Sequence, residues 1–212
     1  MVQAVIFDFG GVLCLHPDEA RITRAATACG LPVERFLKDF WRTRRDYDAG
    51  RMEPAEYWSG IVPDFQESKL PELIRNEVEL WNRYDQRVFG WIRQLREAGH
   101  RTAILSNLPR VLGEELRSTP GLLDPFDHVT FSYELGVIKP QAEIYEDAMR
   151  GLGVEPGEAL FLDDRPENVE GGRGVGLRAE LYTCWEEFAQ SKLSERYGLP
   201  AAGLAEDIAR RQ

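Results

Sequence analysis

Val5-Ile6-Phe7-Asp8-Phe9-Gly10-Gly11-Val12-Leu13 limits the folds open to this chain more than any other stretch. Three consecutive apolar residues call for a buried strand. A single carboxylate ends the run, and two glycines then allow a tight turn. Open α/β sheets place their chemistry at such strand ends. An aspartate in a glycine-containing turn is equally an ordinary structural residue, so Asp8 alone carries two readings.

The rest of the chain supplies more residues of this kind in a fixed order. Thr102-Ala103-Ile104-Leu105 leads into Ser106-Asn107, Lys139-Pro140 stands just before a helical stretch, and Gly157 to Leu162 delivers Asp163-Asp164. Each has a bland reading by itself: Ser106 as a helix cap, Lys139 as a solvent-facing turn residue, the acidic pair as turn formers.

Taken together, the ordered set resembles the haloacid dehalogenase-like (HAD) hydrolase superfamily, with a nucleophilic Asp, a Ser or Thr, a Lys, and an acidic pair that holds magnesium. The resemblance spans essentially the whole chain. It implies a catalytic set of Asp8, Ser106, Asn107 and Lys139, and a Mg²⁺ site built from Asp8, the Gly10 carbonyl, Asp163 and Asp164. Phosphate oxygens would rest on the amides of Phe9 and Gly10, on Ser106 and Asn107, and on the Lys139 ammonium. Asn168 would orient the acidic loop or simply cap the following helix. The implied product is an aspartyl phosphate on Asp8 that water later opens.

Gly10 departs from the pattern. Phosphatases of the superfamily usually carry a second Asp there, which protonates the leaving oxygen and activates the water. General acid-base catalysis contributes about 10²–10⁴-fold, so its loss slows turnover without abolishing it. The leading expectation is a Mg²⁺-dependent phosphatase acting on a small phosphorylated metabolite, with His16, Asp18 or a metal-bound water as a replacement acid. Two alternatives stand beside it. One is a 2-haloacid dehalogenase-like enzyme that holds halide with Arg42 or Arg45, Trp41 and Tyr47; the other is a catalytically weak or non-enzymatic protein.

Alternating strands and helices of this length predict an α/β fold: a doubly wound parallel sheet with a Rossmann-type core. Between the first strand and the helix over 86–98 lies a stretch with helical periodicity and no strand of its own. It resembles the family's helical cap and divides the chain into a core, 1–14 and 89–212, and an all-helical cap, 15–88. Within the cap, helices are expected over 18–29, from Leu31-Pro32, from Glu53-Pro54 and over 67–83. The polar and aromatic residues around Arg44, Arg45, Tyr47, Asp48 and Gly50 interrupt its buried pattern, so Arg45 and Tyr47 are expected to face substrate. The basic cluster Arg42, Arg44, Arg45 also reads as the solvated face of a helix. Further expectations are a strand within 126–131, a helix over 142–150, a helix starting at Pro166, a last strand over 177–182, and C-terminal helices over 185–196 and 202–210.

A net charge of −10 disfavours nonspecific binding to nucleic acid or an anionic membrane. No apolar run approaches membrane-spanning length, and the opening Met-Val-Gln-Ala-Val-Ile resembles no signal peptide, so a cytoplasmic location is expected. Cys14, Cys29 and Cys184 are widely spaced and read as reduced thiols. The oligomeric state, monomer or homodimer, stays open.

Overall fold

The computed structural model describes residues 1–203. Five strands form one all-parallel sheet in the order β3-β2-β1-β4-β5: β1 (Ala4–Phe7), β2 (Arg101–Ser106), β3 (His128–Phe131), β4 (Ala159–Asp163) and β5 (Arg178–Leu181). The expected doubly wound parallel sheet is therefore present. The chain builds outward from β1 on one side through β2 and β3 and on the other through β4 and β5, which makes the C-terminal end of β1 the topological switch point.

Strand alternation explains the two cores. Ala4 and Ile6 of β1 face one layer, packing with Ile144, Tyr145 and Ala148 of α9 (Ala142–Leu152) and Val169 of α10 (Pro166–Gly174). Val5 and Phe7 face the other, packing with Trp91 and Ile92 of α6 (Gln86–Glu97), Leu112 of α7 (Arg110–Ser118) and Phe188 of α11 (Trp185–Gln190). β5 is an edge strand, and its exposed Arg178 matches that position.

Before α6 the chain forms a helical module: α1 (Glu19–Ala28), α2 (Val33–Arg42), α3 (Arg44–Asp48), α4 (Pro54–Ser59) and α5 (Leu70–Leu80). The Asp18 carboxylate caps α1 by accepting from the Arg21 amide at 3.0 Å. Phe36, Phe40, Tyr57, Trp58 and Leu73 bury a separate apolar core. Two strands of chain join this module to the sheet side by side. Leu15 donates to the Arg83 carbonyl at 2.8 Å and Asp85 to the Leu13 carbonyl at 2.9 Å, so entry and exit are laced together.

Several local expectations need correction. The polar stretch after Arg42, expected only to interrupt the buried pattern, forms a short helix of its own, α3. The helix expected over 67–83 opens with a 3₁₀ turn, Glu67–Lys69, and α5 ends at Leu80, turning Trp81 out of the helix. A helical turn, α8 (Ser132–Leu135), follows β3 and is ended by Gly136 at φ 73°. The helix expected over 185–196 breaks: α11 stops before Ser191, Lys192 adopts φ 54°, and α12 covers Leu193–Arg196. The Ser191 hydroxyl bonds the Phe188 carbonyl and receives the Leu193 amide, competing with the helical ladder. The expected helix over 202–210 lies largely outside the described residues. No helix among the described residues is long and apolar enough to cross a membrane.

Candidate active site

Three strand ends and one loop converge at the C-terminal rim of the sheet. Asp8 follows β1, Ser106 ends β2, Asp163 ends β4 with Asp164 beside it, and Lys139 arrives from the loop after α8. Lys139 is the hub. Its ammonium is buried and lies 2.8 Å from Asp8 Oδ1 and 2.6 Å from Asp163 Oδ2, and donates to the Leu105 carbonyl at 2.9 Å. Burial pulls its proton affinity down, but Asp163 and Asp8 hold it above its ordinary value.

Asn107 fixes the lysine from the backbone side. Its amide oxygen accepts from the Lys139 N–H at 2.8 Å and its amide nitrogen donates to the Lys139 carbonyl at 3.1 Å. The side chain is thus occupied in holding Lys139. Asn168 spans the Asp163 carboxylate, donating to both oxygens at 3.0 and 3.2 Å, while Tyr145 donates to the Asn168 carbonyl at 2.7 Å. Each Asp163 oxygen therefore accepts two hydrogen bonds, counting that from the Arg165 amide to Oδ1. Asp163 has little capacity left, whereas Asp8 and Asp164 face the open site.

Oxygens of Asp8, Asp163 and Asp164 lie within 4.8 Å of one another. Burial pushes the Asp8 carboxyl up to about 7; Lys139 opposes that rise, while Asp163 and Asp164 add to it. Three carboxylates face one ammonium, and one divalent cation brings the sum to zero. Hard oxygen donors in a small cluster suit Mg²⁺, so the donor set fits the expected ion. The Asp8 Oδ1 also accepts from the Phe9 amide at 2.6 Å, which fixes its rotamer at the turn. Gly11 makes this crowding possible: it adopts φ 79°, and a Cβ there would stand 2.7 Å from Asp164 Cγ.

These groups open onto a cavity of about 490 Å³ roofed by the helical module. Phe9, Gly10, Ser106, Arg45 and His16 line it. His16 Nε2 stands 3.2 Å from Asp164 Oδ2, and this hydrogen bond raises the affinity of the imidazole for its proton. Asp18 does not line the cavity: it caps α1 and pairs with Arg83 at 2.7 Å. Cys14 is buried beside the turn and its thiol is pushed up to about 11, so it is no thiolate nucleophile.

Tyr47 is a correction. It is buried in the core of the helical module, stacked on Tyr57 with ring centroids 4.0 Å apart, and its hydroxyl donates to Glu77 at 3.3 Å. It contributes nothing to the cavity wall. The basic cluster splits three ways. Arg42 donates to the Gly60 carbonyl, Arg45 faces the cavity, and Arg44 is buried between Asp48 and Glu77, each at 2.7 Å. Sequence reasoning missed Glu77 and the wall position of Trp81. Glu77 carried a signal, because it stands four residues after Leu73 and seven after Leu70, inside the apolar stripe of α5.

The sequence profile of the haloacid dehalogenase-like hydrolases matches residues 2–176. The chain belongs to this family. As a haloacid dehalogenase-like hydrolase it has relatives of comparable size. A glyceraldehyde 3-phosphate phosphatase of Methanopyrus kandleri is 33% identical over 197 residues, 84% of this chain and 82% of that protein. A D-ribitol-5-phosphate phosphatase of Bacteroides thetaiotaomicron is 26% identical over 186 residues, covering 84% and 90%. A HAD family enzyme from Bacteroides thetaiotaomicron, solved with magnesium and inorganic phosphate, shares the fold at a TM-score of 0.70 and 20% identity, covering 85% of this chain and 94% of that one.

Proposed function

We propose that this hydrolase is a phosphatase of small phosphorylated metabolites, with Asp8 as its nucleophile. One observation supports the reading above others: the Asp8 carboxylate lines the cavity with Lys139 at 2.8 Å and Asp164 alongside. Phosphatase relatives of similar length and a HAD neighbour solved with magnesium and phosphate support it further.

Asp8, the Gly10 carbonyl and Asp164 would hold Mg²⁺, and Asp163, already hydrogen-bonded, would act on its water shell. The ion would supply positive charge beside a phosphoryl group that repels a carboxylate nucleophile. The chain's own residues do the rest. Lys139 offsets charge on the nonbridging oxygens, and the Ser106 hydroxyl, the Asn107 backbone N–H and the Gly10 backbone N–H orient them. Asp8 attacks phosphorus in line, its new O–P bond forming as the bond to the leaving oxygen breaks. Water then hydrolyses the aspartyl phosphate, returning Asp8 and releasing phosphate. The module of helices α1–α5 acts as a cap that excludes bulk solvent during these steps.

Hydrolysis of p-nitrophenyl phosphate tests the reading. Its leaving phenolate needs no proton, so it suits an enzyme with glycine at position 10. The expected result is Mg²⁺-dependent turnover that a chelator removes; chloride release from 2-chloropropionate with no phosphatase activity would overturn it. A binding test is independent of turnover. Mg²⁺ at about 100-fold above its Kd should stabilise the fold by about 2.7 kcal/mol, a rise in Tm of about 5–10 °C. Asp164→Asn should remove most of that rise, and an unchanged rise would contradict the ligand assignment.

Gly10 allows a direct probe of the absent acid. A Cβ on Gly10 would lie 3.3 Å from Trp81 Cζ3, so an aspartate there competes with the indole ring for space. Gly10→Asp combined with Trp81→Ala should exceed Trp81→Ala alone by about 10-fold or more on an alkyl phosphate, within the range of general acid-base catalysis. Equal rates in the two variants would show that position 10 does not limit turnover.

The dehalogenase alternative loses one of its imagined halide contacts, because Tyr47 is buried away from the cavity that Arg45 and Trp41 line.

A further inference from the structure

The cap side of the cavity carries a carboxyl for which the phosphatase chemistry has no use. Asp48 ends α3 and lines the cavity, with 12% of its side chain accessible. Oδ1 accepts from Arg44 Nε at 2.7 Å. Oδ2 has no hydrogen-bond partner among the described residues, yet it is not an enclosed atom, so it opens onto the cavity. The backbone is tethered to the catalytic floor: the Ser132 hydroxyl donates to the Asp48 carbonyl and accepts from the Leu108 amide at 3.0 Å, two residues beyond Ser106. The carboxyl is thus held at a set height above the phosphate-binding turn.

Arg44 holds it there. Arg44 is buried, with Nε on Asp48 and Nη1 on Glu77, and its guanidinium carbon lies 4.9 Å from the Phe40 ring centroid. One cation thus serves two buried carboxyls and has no charge left for a substrate anion. Burial pushes Asp48 up to about 7; Arg44 opposes that rise, Glu77 adds to it, and Arg165 opposes it more weakly. An arrangement this costly to desolvate, with an oxygen left free in the cavity, fits a ligand that completes its hydrogen bonding.

The same cavity also presents apolar side chains. Trp41 is 50% exposed, and Trp81 and Leu112 join it. Flat apolar surface in the same cavity as one carboxyl suits a molecule with C–H faces and hydroxyl edges. Other cations near the cavity do not reverse this. Arg165 reaches Asp48 only through space and is paired with Glu167 at 2.7 Å, and Arg45 is exposed; solvent and salt screen both charges.

We infer that Asp48, positioned by Arg44, is the specificity residue of this hydrolase and selects a hydroxyl-bearing leaving group, a polyol or sugar monophosphate, against one carrying a second phosphate or carboxylate. The inference rests on the phosphatase reading above. A substrate hydroxyl donates to Asp48 Oδ2 while its phosphate sits at Asp8, and a second anion in that place meets a carboxylate instead of a counter-charge.

Steady-state kinetics on polyol and aldose monophosphates, p-nitrophenyl phosphate, pyrophosphate and a sugar bisphosphate test it. Wild-type enzyme should prefer at least one polyol or aldose monophosphate to pyrophosphate and the bisphosphate. In Asp48→Ala the kcat/KM for that substrate, relative to p-nitrophenyl phosphate, should fall by about 10- to 100-fold, the scale of a lost hydrogen bond to a charged group. Asp48→Asn keeps the shape and the acceptor for Arg44 but turns a donor to the cavity. It should show a similar fall in that ratio with its Tm retained. A uniform loss on every substrate in both variants would assign Asp48 a purely structural role and overturn the inference. So would wild-type preference for the bisphosphate or pyrophosphate. Absence of any phosphate hydrolysis by wild type would instead overturn the phosphatase reading itself, and the inference with it.

Discussion

Asp8→Asn is expected to lower phosphatase turnover by about 10⁴-fold or more, the scale seen when a catalytic nucleophile is removed, while leaving the fold intact. The geometry supports both halves of this expectation. Asparagine matches aspartate in shape and can still accept from the Phe9 amide that now meets Oδ1 at 2.6 Å. It also removes one of three crowded carboxylates, whose mutual repulsion helps raise Asp8 to about 7. Circular dichroism and thermal unfolding should therefore match wild type while p-nitrophenol release disappears. Turnover within 10-fold of wild type would remove Asp8 from the reaction.

Lys139→Met should cost both activity and stability. The ammonium is buried against Asp8, Asp163 and the Leu105 carbonyl. Removing one partner of a buried ion pair leaves an uncompensated charge, at a cost of about 3–5 kcal/mol. For a chain of this size that corresponds to a fall in Tm of about 10 °C. Turnover should fall below detection, because the cation facing the nonbridging oxygens is gone. A Tm within a degree or two of wild type would mean that Asp8 and Asp163 do not depend on Lys139 for their charge. The two substitutions thus separate a residue that acts in chemistry from one that also holds the site together.

Residue order read the strand ends of the candidate site correctly as positions in the fold. Asp8, Ser106 and Asp163 end three neighbouring parallel strands, and short apolar runs before each made them legible. Proline and glycine were reliable for the same local reason: Pro166 opens α10, and Gly30, at φ 67°, follows the end of α1. What stayed hidden was nonlocal. Arg44 and Glu77 are 33 positions apart, and only folding shows that they share a buried pair. Tyr47 lies three residues from Arg44 and Gly50 and shares their polar context, yet α3 turns it inward onto Tyr57. Asp163 and Asp164 look alike in sequence, but the strand end buries the first among hydrogen-bond donors and leaves the second facing the cavity. The helix break at Ser191 depended on a side chain competing with its own backbone, which periodicity does not register.

Gly10 connects these observations to kinetics. With no carboxyl at that position to activate water, hydrolysis of an aspartyl phosphate should lag behind its formation, so the intermediate should accumulate. The central claim is therefore tested most directly by rapid acid quenching of wild-type enzyme with Mg²⁺ and p-nitrophenyl phosphate, followed by mass spectrometry of the peptide that carries Asp8. The account predicts a burst of p-nitrophenolate matched by a phosphoryl adduct on Asp8. Steady turnover with no adduct on Asp8, or with the phosphoryl group on another residue, would contradict it.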